Sequence, residues 1–327
     1  MKKANEKLLK IISQFRNKKV LVIGDIMLDK YIWGNVTRIS PEAPVQVVSV
    51  QAESYAPGGA ANVANNIAAI GSCSYMSGIV GKDAANEILL REIKKRNIKT
   101  EGIIIDEKKP TIQKVRIIGQ NQQLLRVDYE KNEYLNRETE KKIVDFATGR
   151  IKEIDGIVVS DYAKGVVTKG LMRDIINLCK ENKKIIVIDP KPEHKALYKE
   201  VTLITPNSKE ASQMANTEPE PESNILKIGK KILKELKAPV LITRGEKGMA
   251  LFETNGKVMN IPTKAKEVYD VTGAGDTVIA IVALALTAGA TLRQAAIIAN
   301  HAAGIVVGKV GTSTLTINEL KQSLENE

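Results

Sequence analysis

Apolar residues in this chain fall into short, nearly unbroken runs separated by longer amphipathic stretches. Residues 19–23, 74–80, 156–160, 184–188, 203–205, 240–243 and 249–253 read as buried strands. Between most of them lie helical patterns, such as residues 137–154 and 168–181. Strands apolar on both faces and alternating with helices predict an α/β fold, a doubly wound and mostly parallel sheet with helices on both faces. Ligands of such sheets collect beyond the carboxyl ends of the strands. Asp25 and Asp29 follow the first strand, and Asp161, Asp189 and Asn207 follow later ones, so the polar chemistry gathers along one edge. Residues 31–50 and 111–129 alternate like strands but stand outside the α/β order.

The longest apolar helical pattern, residues 277–288, is preceded by Asp270-Val271-Thr272-Gly273-Ala274-Gly275-Asp276, and residues 257–269 before that are polar and broken by Pro262. Gly273, Ala274 and Gly275 therefore fall at the first turn of a helix. Small residues there let unpaired N–H groups approach an anion, and the helix dipole adds positive potential at the same place. Asp276 is placed to take a proton from an attacking hydroxyl, as phosphoryl transfer to an alcohol requires. An ordinary helix start rich in Gly and Asp gives the same pattern. A second run, Pro57-Gly58-Gly59-Ala60-Ala61-Asn62-Val63-Ala64, puts two glycines before another helix that Gly71 closes. Asn62 offers the donor and the acceptor that a sugar hydroxyl uses, whereas Ala60, Ala61 and Ala64 are small for close packing.

Composition narrows the class. With 327 residues, 43% of them hydrophobic, the chain can bury a large core, and one main domain over residues 1–327 is expected. The apolar run at 278–290 is too short for a membrane span and is followed by Arg293. Residues 1–19 carry a helical apolar pattern at Leu8, Leu9, Ile11, Ile12 and Phe15 without the features of a signal peptide, which points to a cytoplasmic protein with no membrane partner. The net charge of +11 comes from scattered lysines and is accompanied by only 4% aromatic residues, so no stacking platform for nucleic acid goes with it. A positive surface does steer anionic substrates. Cys73 and Cys179 are too few for a disulfide framework or a zinc site and read as packing residues.

Taken together the two glycine runs resemble the signatures of the ribokinase-like (PfkB) carbohydrate kinases. Gly58, Gly59, Asn62, Gly71 and Gly81 match the first signature; Asp270, Gly273, Ala274, Gly275 and Asp276 match the second, with Ile281 where that family usually has Gly or Ala. Gly24-Asp25-Ile26-Met27-Leu28-Asp29-Lys30-Tyr31, Arg38-Ile39-Ser40-Pro41-Glu42-Ala43-Pro44-Val45, Ser160-Asp161-Tyr162-Ala163-Lys164-Gly165, Asp189-Pro190-Lys191, Thr205-Pro206-Asn207 with Glu210, and Val306-Val307-Gly308-Lys309-Val310-Gly311-Thr312 are closer still to the heptose 7-phosphate kinases, which feed ADP-heptose synthesis for bacterial lipopolysaccharide. Many of those carry a C-terminal adenylyltransferase with a His-x-Gly-His motif; His194 and His301 form no such motif, so the chain resembles the kinase half.

The resemblance implies a ribokinase-like fold in which residues 31–50 and 111–129 form a small β-sheet lid that closes over the sugar and often mates with a second subunit, giving a homodimer. It implies ATP and Mg²⁺ as cofactors and a sugar phosphate as substrate. Asp276 would be the base and the amides of Gly273, Ala274 and Gly275 the anion hole. Asp29, Gly58, Gly59 and Asn62 would hold the sugar, Asp29 also reading as an Asp that caps a loop. Asn207 and Glu210, spanning Ser208 and Lys209, match the Asn-x-x-Glu motif for Mg²⁺ and nucleotide phosphates, Glu210 acting directly or through water; the same spacing is also that of a capped helix start. Thr243, Arg244 and Gly245, with Gly248 behind them, resemble the nucleotide turn, and Asn300 after the helix at 292–299 an adenine or ribose contact. His301 reads as a packing or surface residue. Lys191 and Lys164 are either phosphate contacts or solvated loop lysines. For the phosphate of a heptose 7-phosphate the candidates are Arg38, Arg116, Arg126 and Lys164. The expected reaction is phosphorylation of the anomeric hydroxyl of D-glycero-D-manno-heptose 7-phosphate to the 1,7-bisphosphate; another sugar, sugar-phosphate or nucleoside kinase of the family, or a silent sugar-phosphate sensor, are the alternatives.

Overall fold

The structure, a computed structural model, describes residues 2–120, 122–217, 224–265, 267–309 and 311–326; Val310 of the late glycine-containing run lies outside them. The strands in chain order are β1 (Lys19–Gly24), β2 (Ile26–Ile39), β3 (Gln46–Gly59), β4 (Cys73–Gly81), β5 (Lys99–Asp106), β6 (Ile112–Gly119) and β7 (Gln122–Tyr129). They continue with β8 (Gly156–Ser160), β9 (Ile185–Asp189), β10 (Leu203–Ile204), β11 (Val240–Thr243), β12 (Met249–Phe252) and β13 (Val258–Ile261). The helices are α1 (Lys2–Ser13), α2 (Ala60–Ala69), α3 (Ala84–Lys95), α4 (Arg137–Arg150), α5 (Lys169–Glu181), α6 (Ser208–Met214), α7 (Ile225–Leu236), α8 (Ala274–Thr287), α9 (Leu292–Val306) and α10 (Ile317–Glu325).

Nine strands make one sheet in the order β13-β12-β11-β10-β9-β8-β1-β4-β5, parallel except where β12 and β13 turn back along the edge. The unbroken apolar runs follow from burial on both faces. Along β1, Val20 and Val22 enter the core formed with α1, α2, α8 and α9, while Leu21 and Ile23 enter the core under α4, α5 and α7. The sequence pattern predicts neither β5 nor β13. Each lies at an edge of the sheet, β5 opening on Lys99 and Glu101 and β13 holding only four residues, so neither has the run that marks a central strand. Helix α8 is buried from residue 276 to 285, and Ile281, the departure from the family signature, sits fully enclosed in that core. Burial pushes the Cys179 thiol up to about 12, which fits a packing role. Among the described residues no helix is long and apolar enough to cross a membrane.

The second sheet, β3-β2-β6-β7, is longer than residues 31–50 and 111–129 suggest. Strand β2 starts two residues after β1 ends, and β3 runs on through Gly59 into α2, so the lid grows directly out of β1. Strands β2 and β3 pair antiparallel from Ile26↔Gly59 to Ile39↔Gln46. The small sheet is mixed, because β2 and β6 run parallel.

Candidate active site

Asp276 stands in the first turn of α8, 7% exposed, at the carboxyl edge of the large sheet. Gly273 caps this helix in the left-handed region at φ 80°, a conformation that lets the loop turn into the helix without a side chain in the way. The amide of Ala274 donates to Val271 O, so of the three amides expected to hold an anion this one is already used. The amides of Gly273, Gly275 and Asp276 meet no acceptor among the described residues, and a Cβ placed on Gly275 would face open space. They are the donors an anion would meet.

The Asp276 carboxylate is held at both ends. Asn62 Nδ2 donates to Oδ2 at 2.7 Å, and the Tyr162 hydroxyl donates to Oδ1 at 3.0 Å. Burial pushes its pKa up to about 6; the two hydrogen bonds and Lys191 pull it down, while Asp29 pushes it further up. Asn62 comes from the first turns of α2, whose Asn66 accepts from Thr277 on α8 at 2.8 Å, so the two glycine-initiated helices are bound together at the carboxylate. Asn62 Oδ1 is buried without a hydrogen-bond partner among the described residues, so this acceptor is open to a ligand's donor.

On the lid side, Asp29 binds Arg116 through its carboxylate, and the guanidinium also lies 5.3 Å from the Tyr31 ring. Gly58 leaves the room this requires: a Cβ there would come within 2.5 Å of Asp29 Oδ2. Strand alternation puts Asp29, Tyr31, Lys114, Arg116 and Arg126 on one face, since Asp29 pairs with Lys114, Tyr31 with Arg116, and Arg116 with Arg126. Lys114 bridges Asp128 and Glu130, and Lys164 reaches Glu130 from the other side at 2.7 Å.

On the opposite side of Asp276 lies a small cavity of about 160 Å³ lined by Asp189, Lys191, Asn207, Glu210, Thr243 and Gly275. Asn207 and Glu210 form a reciprocal capping box at the start of α6, and the other Glu210 oxygen binds Lys191. Burial opposes the charge of Lys191, but Glu210 raises its pKa, so it stays cationic. Asp189 differs: among the described residues its carboxylate has no hydrogen-bond partner. Burial and then the neighbouring Glu210 and Asp276 push it well above the carboxylate range. A larger cleft of about 670 Å³ beside His301 and Glu319 shares no residue with this site.

A family model for the pfkB family carbohydrate kinases matches residues 17–319. The chain belongs to that family. Proteins named bifunctional protein HldE are similar to this carbohydrate kinase at 43% identity over 317 residues in Desulfatibacillum aliphaticivorans, covering 97% of this chain and 65% of that one. The HldE of Helicobacter pylori strain 26695 is 45% identical over 305 residues, 93% of this chain and 66% of its own. The chain thus spans about two thirds of the length of these curated relatives. Among solved structures, Escherichia coli phosphofructokinase-2 with potassium superposes at a TM-score of 0.78 and 18% identity, covering 94% of this chain and 98% of that one. Arabidopsis thaliana ribokinase with ribose and ATP does so at 0.75 and 19%, covering 94% and 99%. At these identities the likeness is one of fold, and it agrees with the doubly wound sheet and small second sheet described above.

Several residues of this pfkB kinase stand differently from expectation. Arg38 lies at the far end of β2, nine residues past Asp29 and roughly 30 Å away along the strand, so within one chain it does not reach the site. Ser40 to Pro44, the rest of its motif, form the exposed turn at the lid tip. Asn300 lies inside α9, not after it, and its amide donates to Pro262 O at 2.7 Å, which holds the segment following β13. Asn207 spends its side-chain oxygen on the Glu210 amide, so it is not an open metal ligand. Thr243 does line the cavity; Arg244 and Gly245 form the turn behind it, closed by Arg244 N to Gly248 O, and Ser208 donates to Thr243 O at 3.2 Å while Lys209 is exposed. Tyr162, Asp189 and Lys114 were not assigned roles from sequence. Asp189 at a strand end was the one with a readable signal; Tyr162 and Lys114 are brought in by loop and lid geometry.

Asp276→Asn removes the proton acceptor while keeping hydrogen-bonding size, and turnover should fall by the roughly 10² to 10⁴ that general-base catalysis supplies. In the parent enzyme the base must be ionised, so kcat/KM should fall as pH drops through about 6. Steady-state rates across pH 5 to 9 check both, and near-normal turnover in the variant would remove Asp276 from the mechanism.

Proposed function

We propose that this pfkB kinase transfers the γ-phosphoryl group of ATP to the anomeric hydroxyl of D-glycero-D-manno-heptose 7-phosphate, giving the 1,7-bisphosphate that serves ADP-heptose synthesis. The observation that carries the reaction type is the buried Asp276, poised near neutral pH between the open amides of α8 and the unpartnered oxygen of Asn62. The 43 to 45% identity to the HldE proteins supports the choice of sugar.

The sugar would lie between the lid and α2, with Asp29 accepting from its hydroxyls and Asn62 Oδ1 accepting from another. Asp276 takes the proton of the attacking hydroxyl, while the amides of Gly275 and Asp276 and the Lys191 ammonium meet charge developing on the transferred group. Closure of the lid excludes water that would otherwise compete as acceptor. The Asp189 carboxyl, beside Glu210 and free of protein partners among the described residues, would give up its proton to a hard cation that keeps most of its waters, so Mg²⁺ would be held by Asp189, with Glu210 acting directly or through water. Among the described residues no group of three or more such side chains converges on one point, which fits a cation shared with nucleotide phosphates. When bound, Mg²⁺ supplies neutralisation of phosphoryl oxygens.

The inner lid face carries Lys114, Arg116 and Arg126, Lys164 reaches towards it from the loop after β8, and it is here that the 7-phosphate would dock. A second copy would cover the exposed Val50 and Leu125 of the lid, making the homodimer.

Four measurements follow. With purified enzyme, ADP release should be fastest with the heptose 7-phosphate. Lys114→Ala and Arg126→Ala should raise its KM roughly tenfold or more while weak activity on the unphosphorylated heptose changes little. Arg116→Ala should impair both sugars, because Arg116 also holds Asp29. Preference for unphosphorylated sugars would move a ribokinase-like or fructokinase-like activity ahead. Asp189→Asn should shift the Mg²⁺ dependence to higher concentration, and an unchanged dependence excludes it as a ligand. Light scattering should give twice the chain mass, and Leu125→Lys with Val50→Lys should return the monomer; an unaltered mass would place the contact elsewhere.

A further inference from the structure

Tyr162 follows Asp161 at the end of β8, in a loop whose conformation is unusually constrained. The buried Asp25 carboxylate accepts the amides of Tyr162 at 2.9 Å, Lys164 at 3.1 Å and Val166 at 3.1 Å. The Ala163 amide donates to Asp161 Oδ1 at 2.7 Å, and Ala163 itself sits in the left-handed region at φ 55°, a conformation costly for a residue with a Cβ. Asp161 is in turn fixed by His194 Nδ1 at 2.6 Å and by the Tyr198 hydroxyl at 2.5 Å, and that same hydroxyl accepts the Lys191 amide at 3.0 Å. Two buried carboxylates therefore clamp a strained loop and tie it to the segment carrying Lys191. What the loop presents is Tyr162, its hydroxyl on Asp276 and its ring under the Lys191 ammonium at 5.3 Å. Strain held in place by surrounding bonds is expected where geometry matters for function.

We propose that Tyr162 is a positioning residue for phosphoryl transfer, its hydroxyl holding the Asp276 carboxylate oriented and in its proton-accepting form. The inference rests on Asp276 being the base. The groups facing Asp276 are Asn62 from α2, Asp29 from the lid, Asp189 and Lys191 from the end of β9, and Tyr162. Of these, Asn62 and Tyr162 alone bond to it directly. Burial, and then Asp276 itself, push the tyrosine hydroxyl well above its ordinary range, so it remains a donor at every working pH. A donor to the ionised carboxylate favours that form. Without it, burial and the nearby Asp29 charge would favour protonation, and less of the base would be ready at neutral pH.

Tyr162→Phe tests this with little disturbance, since the ring beneath Lys191 and all backbone bonds of the loop remain. In pH profiles of kcat/KM for the parent, Tyr162→Phe and Asp276→Asn enzymes, the acidic limb of Tyr162→Phe should move up by about one pH unit. Its rate should be about threefold low near pH 6.5, about tenfold low near pH 5, and should approach the parent rate above pH 8, with the KM for ATP little changed. Carboxyl NMR titration of isotope-labelled aspartate, with Asp276→Asn for assignment, should show the same upward displacement without substrate. A uniform loss at all pH values, or profiles that superimpose, overturns the proposal while leaving the base in place if Asp276→Asn is inactive. Should Asp276→Asn turn over normally, the base assignment falls and Tyr162's role falls with it.

Discussion

A carboxylate buried at the start of an apolar helix is the constraint on which the rest of the site depends. Asp276 is out of solvent because α8 is buried from its first turn, and an isolated ionised carboxylate in such a place is strongly disfavoured. The fold offsets that cost from three directions: open amides at the helix start, the Asn62 amide from α2, and the Tyr162 hydroxyl from the loop after β8. The compensation is incomplete, and the carboxyl is left near pH 6, between an inert surface carboxylate and a permanently protonated one. That balance is what a general base working near neutrality needs.

A second carboxylate shapes the ground around the first. Asp25 occupies the single position between the end of β1 and the start of β2, where the large sheet gives way to the lid, and it accepts three amides of the loop after β8. One side chain thus sets the exit of β1, the root of the lid and the loop that delivers Tyr162. The lid continues this division of labour. Its root carries Asp29 and Arg116 close to α2, its inner face is basic, and its tip, with Arg38 and the turn that follows, extends away from the reacting centre.

Much of this was legible along the chain because the signals are local. Seven central strands announce themselves as runs apolar on both faces, and the two glycine-led helix starts place Asn62 and Asp276 at helix N-termini by spacing alone. The edge strands β5 and β13 gave no such signal, since half-exposed strands need no continuous apolar run. Lid strands were recognised but cut short, as Ala56, Pro57, Gly58 and Gly59 look like a turn and become strand only by pairing with residues 26–29. Asn207 and Glu210 show how one spacing serves two readings: here the pair caps α6, and the open carboxylate in that cavity belongs to Asp189.

By itself, then, the sequence determined the α/β class and the place of Asp276 at the start of a buried helix, because hydrophobic period and helix-start chemistry act over a few residues. Only the tertiary structure decided which donors reach Asp276, that Arg116 is bound to Asp29, that Asn300 supports the backbone at Pro262, and that Arg38 lies at the far end of β2. Each of those depends on residues dozens to hundreds of positions apart being brought within hydrogen-bonding distance, or kept from it, by strand register and loop closure. A linear pattern carries no term for such distances, and partner choice among buried charges is settled only when the desolvated groups meet.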